Sequence, residues 1–264
     1  MTTPAFVLVS EDNHVLHVTF NRPESRNAMS PEMLGEIEAV FSSLPEHIRA
    51  VVLRGSGGHF CAGADLKGMM ASGMKKPLEG QPDPIAQMNR AFGTMLRQVA
   101  NCPAVVITVC EGAVLGGGFG LACVSDVGLT HAEAKFGLPE TTRGLPPAQI
   151  APFVVERIGL TQARRLALTG AQFRGLEAVR LGIAHDHFST AEEGEHKLAE
   201  VLKAVRSCAP NANRITKQIL LDVGKQDLDA VLDSAAAHFA ACARGAEAPE
   251  GIMAFMQKRA PKWA

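Results

Sequence analysis

Three consecutive glycines, Gly116, Gly117 and Gly118, stand between an apolar run and a short helical pattern in the stretch GAVLGGGFGLACVSD, residues 112 to 126. Without a Cβ, the backbone can pass where a side chain would clash and leave peptide N–H groups aimed outward at the start of a helix. A corner of this kind can hold an oxyanion or a phosphate.

The rest of the chain limits what such a corner can serve. Its 264 residues suffice for one well-buried core, or for one domain with a smaller appendage. Charge is balanced, with 26 basic against 27 acidic side chains, so no electrostatic case exists for nucleic acid or a membrane as partner. Six cysteines lie mostly in apolar contexts without a CxxC pair, which favours reduced, buried thiols over disulfides or zinc. The opening MTTPAFVLVS has neither a cationic signal-peptide start nor an arginine-rich amphipathic segment, and a cytoplasmic protein is the expectation.

Phe6 to Val9 and Val15 to Phe20 read as strands around a turn at Glu11-Asp12-Asn13. Ser30 has the chemistry of an N-cap, with Pro31 at the first helical position and Met33, Ile37, Val40, Phe41 and Leu44 at helical spacing. Ala50 to Arg54 and Ala104 to Cys110 read as buried strands, and Ile85 to Ala100 as a helix. Ser72 to Pro84, polar and rich in Gly and Pro, reads as a mobile loop. The recurring strand-strand-helix unit predicts a layered α/β arrangement. Beyond about residue 195 the pattern is helical only, with apolar faces that predict subunit contacts. The expected division is therefore a core over 1–195 and a helical region over 196–264.

Taken with HFCAGADLKGM at 59 to 69 and FGLPE at 136 to 140, the glycine corner resembles the enoyl-CoA hydratase/isomerase, or crotonase, superfamily. The resemblance implies a spiral of β-β-α turns followed by helices that build a homotrimer or a dimer of trimers, and an acyl-CoA as small-molecule partner. No cofactor is implied, because coenzyme A enters as the substrate thioester. The loop at Cys61 to Leu66 and the corner at Gly116 to Gly118 each offer N–H groups beside a helix start, or are merely tight turns. Two such donors on one thioester oxygen stabilise an enolate, each removing about 3–4 kcal/mol from the barrier. In the family these donors match Ala64 and Gly117. The resemblance also carries Ala62, Asp65 and Leu66 over as coenzyme A contacts. Lys67 can reach a phosphate or stay solvated. FMQKRAPKW near the C-terminus resembles the family's closing helix, so Phe255 and Lys258 match residues that touch coenzyme A on a neighbouring subunit. An ordinary charged helix end is the alternative for Lys258.

Glu140 matches the second catalytic glutamate of the hydratases, and the apolar approach Phe136-Gly137-Leu138-Pro139 should desolvate it and raise its pKa. Gly120 stands where two-glutamate hydratases carry the first. Three readings remain open. Glu140 alone shuttles a proton between C2 and C4 of a 3-enoyl-CoA. Alternatively, Glu140 activates a water and guides its proton to C2, leaving room beside Gly120 for a branched acyl chain. In the third reading, the fold binds acyl-CoA without turnover. The text GAVLGGGFGLACVSDV, FGLPET and LPPAQIAPFVVERIGLTQARRLALTG is similar to hydratases acting on isohexenylglutaconyl-CoA in acyclic terpenoid breakdown, which favours hydration of a branched, carboxylated substrate. The carboxylate of such a substrate needs a cation or several donors. Arg143 can supply it or be a surface arginine.

Other chemistries fare worse. Glu111 could replace the missing acid only by reaching the pocket, and Asp126 fits a local cap or pair. His131, His185 and His187 accompany no nucleophile elbow and no HExxH spacing, which disfavours metal catalysis and a Ser-His-Asp hydrolase. The chain contains no tyrosine, so the phenol-binding mechanism of hydroxycinnamoyl-CoA hydratase-lyases cannot operate.

Overall fold

The computed structural model describes residues 5–65 and 80–264. The chain divides into two compact units, Met1–Lys197 and Leu198–Ala264. In the first, β1 (Val7–Asp12) and β2 (Val15–Phe20) form an antiparallel hairpin. Its turn lies at Asn13 and His14, with φ of 49° and 63°, rather than at Glu11 to Asn13. Two consecutive left-handed residues match the twist of the strands, so β1 stays paired to Asp12, opposite Val15.

After the hairpin, α1 (Pro31–Ser42) starts as its sequence dictates: Ser30 Oγ accepts the Met33 N–H and Pro31 occupies the first turn. The next strand is β3 (Ala50–Gly55), which has no polar alternation over its first four residues because both faces are buried. Asp83 caps α2 (Pro84–Ala100) by accepting the N–H groups of Ile85 and Ala86. The helix thus claims Pro84, which the sequence reading assigned to a loop, and most of that loop, with Leu66 and Lys67, lies outside the described residues. The chain continues through β4 (Val105–Cys110), β5 (Ala113–Leu115), α3 (Gly117–Val124), β6 (Val127–His131), β7 (Lys135–Gly137), α4 (Ala151–Thr169), β8 (Gln172–Arg174), α5 (Gly175–Arg180) and β9 (Asp186–Phe188).

Six strands make one sheet in the order β1-β2-β3-β4-β6-β9, parallel except at the β1–β2 hairpin. A smaller sheet, β5-β7-β8, stands apart from it. Phe119 of α3 meets Phe136 of β7 and Phe173 of β8 edge-on at 6.2 and 6.1 Å, which locks the central helix onto the small sheet. The architecture is a mixed α/β core followed by helices, as the resemblance implied.

The second unit holds the end of α6 (Ala191–Ser207), then α7 (Pro210–Asp222), α8 (Leu228–Arg244) and α9 (Glu247–Met256). Glu247 accepts the N–H groups of Asn211 and Ala212 and so caps α7, while Asp227 caps α8. Val231 and Ala254 are buried, whereas Leu228, Leu232, Phe239 and Phe255 are exposed. Four of the six cysteines are buried thiols; Cys208 is exposed and Cys242 half-buried, because their helices have one face open.

Candidate active site

Strand register assembles the site. β5 pairs with β7 in parallel, Leu115 opposite Gly137, and the Gly116 N–H donates to the Gly137 carbonyl at 3.0 Å. Whatever follows Gly137 therefore lies beside whatever follows Leu115, and Glu140 arrives at the glycine corner. Gly116, with φ of 51° and ψ of −114°, caps α3 in a conformation closed to most side chains. A Cβ there would stand 2.6 Å from Glu140 Oε1, so the carboxylate rests on bare backbone.

The first loop is tied to the same corner. Cys61 donates its N–H to Ala113 and accepts from Leu115, which makes it a bridge partner of β5. Gly63 packs backbone to backbone: a Cβ would lie 3.1 Å from the Leu115 carbonyl oxygen and 3.7 Å from Gly116 Cα. Arg22 holds the loop from outside through a 2.9 Å ion pair to Asp65.

Hydrogen bonding then selects which donors remain. Met29 donates to the Gly63 carbonyl and accepts from the Asp65 N–H, so Ala64 sits between them with its own N–H outside the ladder. Buried Cys61 Sγ takes the Gly63 N–H at 3.3 Å and the Gly118 N–H as well. Burial pushes that thiol up to about 12, so it stays protonated and unreactive. Gly117, at the first turn of α3, has no intrahelical partner for its N–H. Ala64 and Gly117 are thus left with unused donors among the described residues, and both line one cavity of about 460 Å³ together with Glu140.

That cavity is chiefly apolar, walled by Met29, Leu34, Phe92, Leu145 and Ile150 among others. Glu140 starts a single 3-10 turn over Thr141–Arg143, its carbonyl accepting the Arg143 and Leu145 N–H groups. Its Oε2 is buried without a partner among the described residues. Desolvation raises its pKa above the ordinary carboxylate value, against smaller lowering effects of its own backbone and of Arg143.

Gly120 overturns one expectation. A Cβ at this position would meet Leu96 Cδ1 at 3.2 Å and Ile150 at 3.3 and 3.4 Å. Gly120 lies off the cavity wall, and Leu96 and Ile150 would have to give by a few tenths of an ångström to admit a Cβ, so the glycine opens no space to the cavity.

The other sequence candidates fall in different places. Asp65 lines the cavity with its carboxylate engaged by Arg22, while the Ala62 N–H donates to the Arg26 carbonyl and Ala62 stays off the cavity wall. Arg143 is exposed and outside the lining, near enough to act on Glu140 through its charge alone. Phe255 is exposed at the end of α9, and Lys258 follows in the left-handed conformation. Glu111 does not line the cavity, and Asp126 accepts the N–H of Val106 on β4 at 2.7 Å, a partner 20 positions away rather than a local one. Of the candidate histidines, His185 Nδ1 accepts the Gly128 N–H, His131 meets the Ser189 carbonyl, and His187 Nδ1 lies 3.8 Å from the Asp186 carboxylate. Sequence reading missed Arg22, Phe92, Leu96 and Gln149, whose positions become meaningful only once α1, α2 and the Leu145–Ile150 segment converge. A Gly117 Cβ, for example, would collide with Phe92 at 2.9 Å.

An enzyme that stabilises an oxyanion and moves a proton beside it is what two unused N–H donors and a desolvated carboxyl suggest, and comparison with known proteins agrees. The profile of the enoyl-CoA hydratase/isomerase family matches residues 10–264, and the chain belongs to that family. It is 52% identical to an enoyl-CoA hydratase/isomerase from Marinobacter aquaeolei, with a TM-score of 0.93 and 98% of each chain covered. To Pseudomonas aeruginosa AtuE it is 51% identical, with a TM-score of 0.94, covering 98% of this chain and 99% of the other. The 2,3-dehydroadipyl-CoA hydratase of Escherichia coli (strain K12) is 30% identical over 260 residues, 97% of either protein.

Proposed function

We propose that this protein adds water to the double bond of a branched, isohexenylglutaconyl-like 2-enoyl-CoA, with Glu140 as its one acid/base. The Ala64 and Gly117 N–H groups donate to the thioester oxygen and hold the negative charge that develops there. Glu140 takes a proton from the water as its oxygen bonds to C3, then returns that proton to C2 of the enolate. The observation that carries this reading is the unpartnered, desolvated Oε2 of Glu140, beside two unused N–H donors in one apolar cavity. The similarity to the dehydroadipyl-CoA hydratase supports the reaction type.

Coenzyme A lies along Ala62 to Lys67 in this reading, with Phe255 and Lys258 reaching the coenzyme of a neighbouring copy. The exposed Leu232, Phe239 and Phe255 support self-association as a homotrimer or dimer of trimers. Isomerisation between 3- and 2-enoyl-CoA is the second reading, favoured by Gly120, which carries no carboxylate and has Leu96 and Ile150 packed closely over it.

Matched 2-enoyl and 3-enoyl thioesters, including a branched glutaconyl-CoA, are to be incubated in heavy-oxygen water with mass detection. Label in a 3-hydroxyacyl product supports hydration, whereas bond migration without label establishes the isomerase. No turnover of any substrate would leave an acyl-CoA-binding scaffold.

A further inference from the structure

Gly93 lies in the interior of α2, where glycine costs a helix about 1 kcal/mol relative to alanine. A Cβ there would stand 2.0 Å from Gln149 Oε1 and 2.9 Å from its Cδ. The bare helix backbone is what admits the glutamine side chain. One turn on from Gly93 is Leu96, and next to Gln149 is Ile150, the two residues that close over Gly120. The segment that packs Ile150 over Gly120 therefore also brings a carboxamide to the cavity that Glu140 lines. Gln149 lines the cavity with Glu140, and its side chain bonds no described residue.

We propose that Gln149 is the second water-holding group of this site. The inference rests on the hydration reading. A water held only by Glu140 can rotate about that one hydrogen bond, whereas a second acceptor aims its lone pair at C3. The carboxamide oxygen accepts one hydrogen of the water and Glu140 the other. An amide does not take up a proton at neutral pH, so the proton released as the C3–O bond forms passes to Glu140 alone and from there to C2. Gln149 thus supplies orientation without a second acid/base, which a Gly120 enzyme otherwise lacks.

The test compares Gln149→Ala, Gln149→Glu, Gly93→Ala and the Gly93→Ala/Gln149→Ala pair for label uptake from heavy-oxygen water, with kcat and KM separated. Gln149→Ala should lower kcat on the order of 10²-fold, the cost of a misplaced reactant, with KM nearly unchanged. Gln149→Glu should recover most of that loss, because a carboxylate also accepts. Gly93→Ala improves helix propensity yet should reproduce the Gln149→Ala loss by displacing the carboxamide, and the pair should be no worse than either alone. An unchanged kcat in Gln149→Ala overturns the proposal. So does a raised KM that Gln149→Glu worsens, which would make Gln149 a donor to a substrate carboxylate. Wild-type bond migration without label instead sinks the hydration reading on which the proposal rests.

Discussion

The two walls of the cavity are made of different material. On one, chemistry belongs to the backbone: Ala64 and Gly117 offer N–H groups, and Glu140 rests against Gly116 where no side chain can stand. On the other, side chains do the work: Ile150 and Gln149 line the cavity, Ile150 packs with Leu96 over Gly120 behind it, and Gln149 crosses Gly93. Backbone donors survive most substitutions so long as the turn survives, whereas the side-chain wall can be rebuilt one residue at a time.

Removing the carboxylate from the backbone wall should have the largest effect. Glu140→Gln is expected to lower kcat by about 10³-fold, as loss of a general acid/base does, for hydration and isomerisation alike. Its stability should move the opposite way. A carboxyl whose folded pKa is raised contributes stability below its unfolded pKa and loses it as pH rises through the folded value. Urea midpoints at neutral pH should therefore favour Glu140→Gln, with the advantage shrinking toward pH 4. The acidic limb of wild-type kcat/KM should lie above the ordinary glutamate value for the same reason. A limb at or below that value would show a carboxylate better solvated than the structure has it.

Gly120→Glu probes the side-chain wall directly. With Leu96 and Ile150 in place, the new carboxylate has no hydrated space, and the protein should lose about 3–5 kcal/mol, the cost of an uncompensated buried charge. Hydration should not accelerate. A faster Gly120→Glu enzyme would mean that the two aliphatic side chains yield easily, and the contrast between the walls would fail.

Arg143→Ala should matter least. Exposed and off the cavity wall, it should change KM for a carboxylated thioester by less than about threefold, within the range of a surface charge pair. The acidic limb should shift slightly upward, because the arginine charge opposes the desolvation of Glu140. A large rise in KM would bring Arg143 to the substrate after all.

Local chemistry was readable in the chain wherever one residue's needs are met by its neighbours. Ser30 and Pro31 start α1 as expected, Ala50 to Leu53 is a buried stretch of strand, and the glutamate that ends FGLPE is desolvated. The glycine corner and the GAD loop were visible for the same reason, since turns of this kind are specified over a few residues. The family, and with it the fold, followed from those motifs. Position 120 was legible as an absence, but not its surroundings: Leu96, Ile150 and Gly120 come from three segments, and only their packing shows how closely aliphatic side chains approach the glycine. Gln149 escaped for the same reason, as its meaning depends on a glycine 56 positions earlier admitting it across a helix. The sequence by itself determined the turns, caps and strands that present a proton-transfer site, because those interactions are local. Tertiary structure decided which donors stay unused and which walls stay closed, because hydrogen bonds and volume are allocated among residues that only the fold brings together.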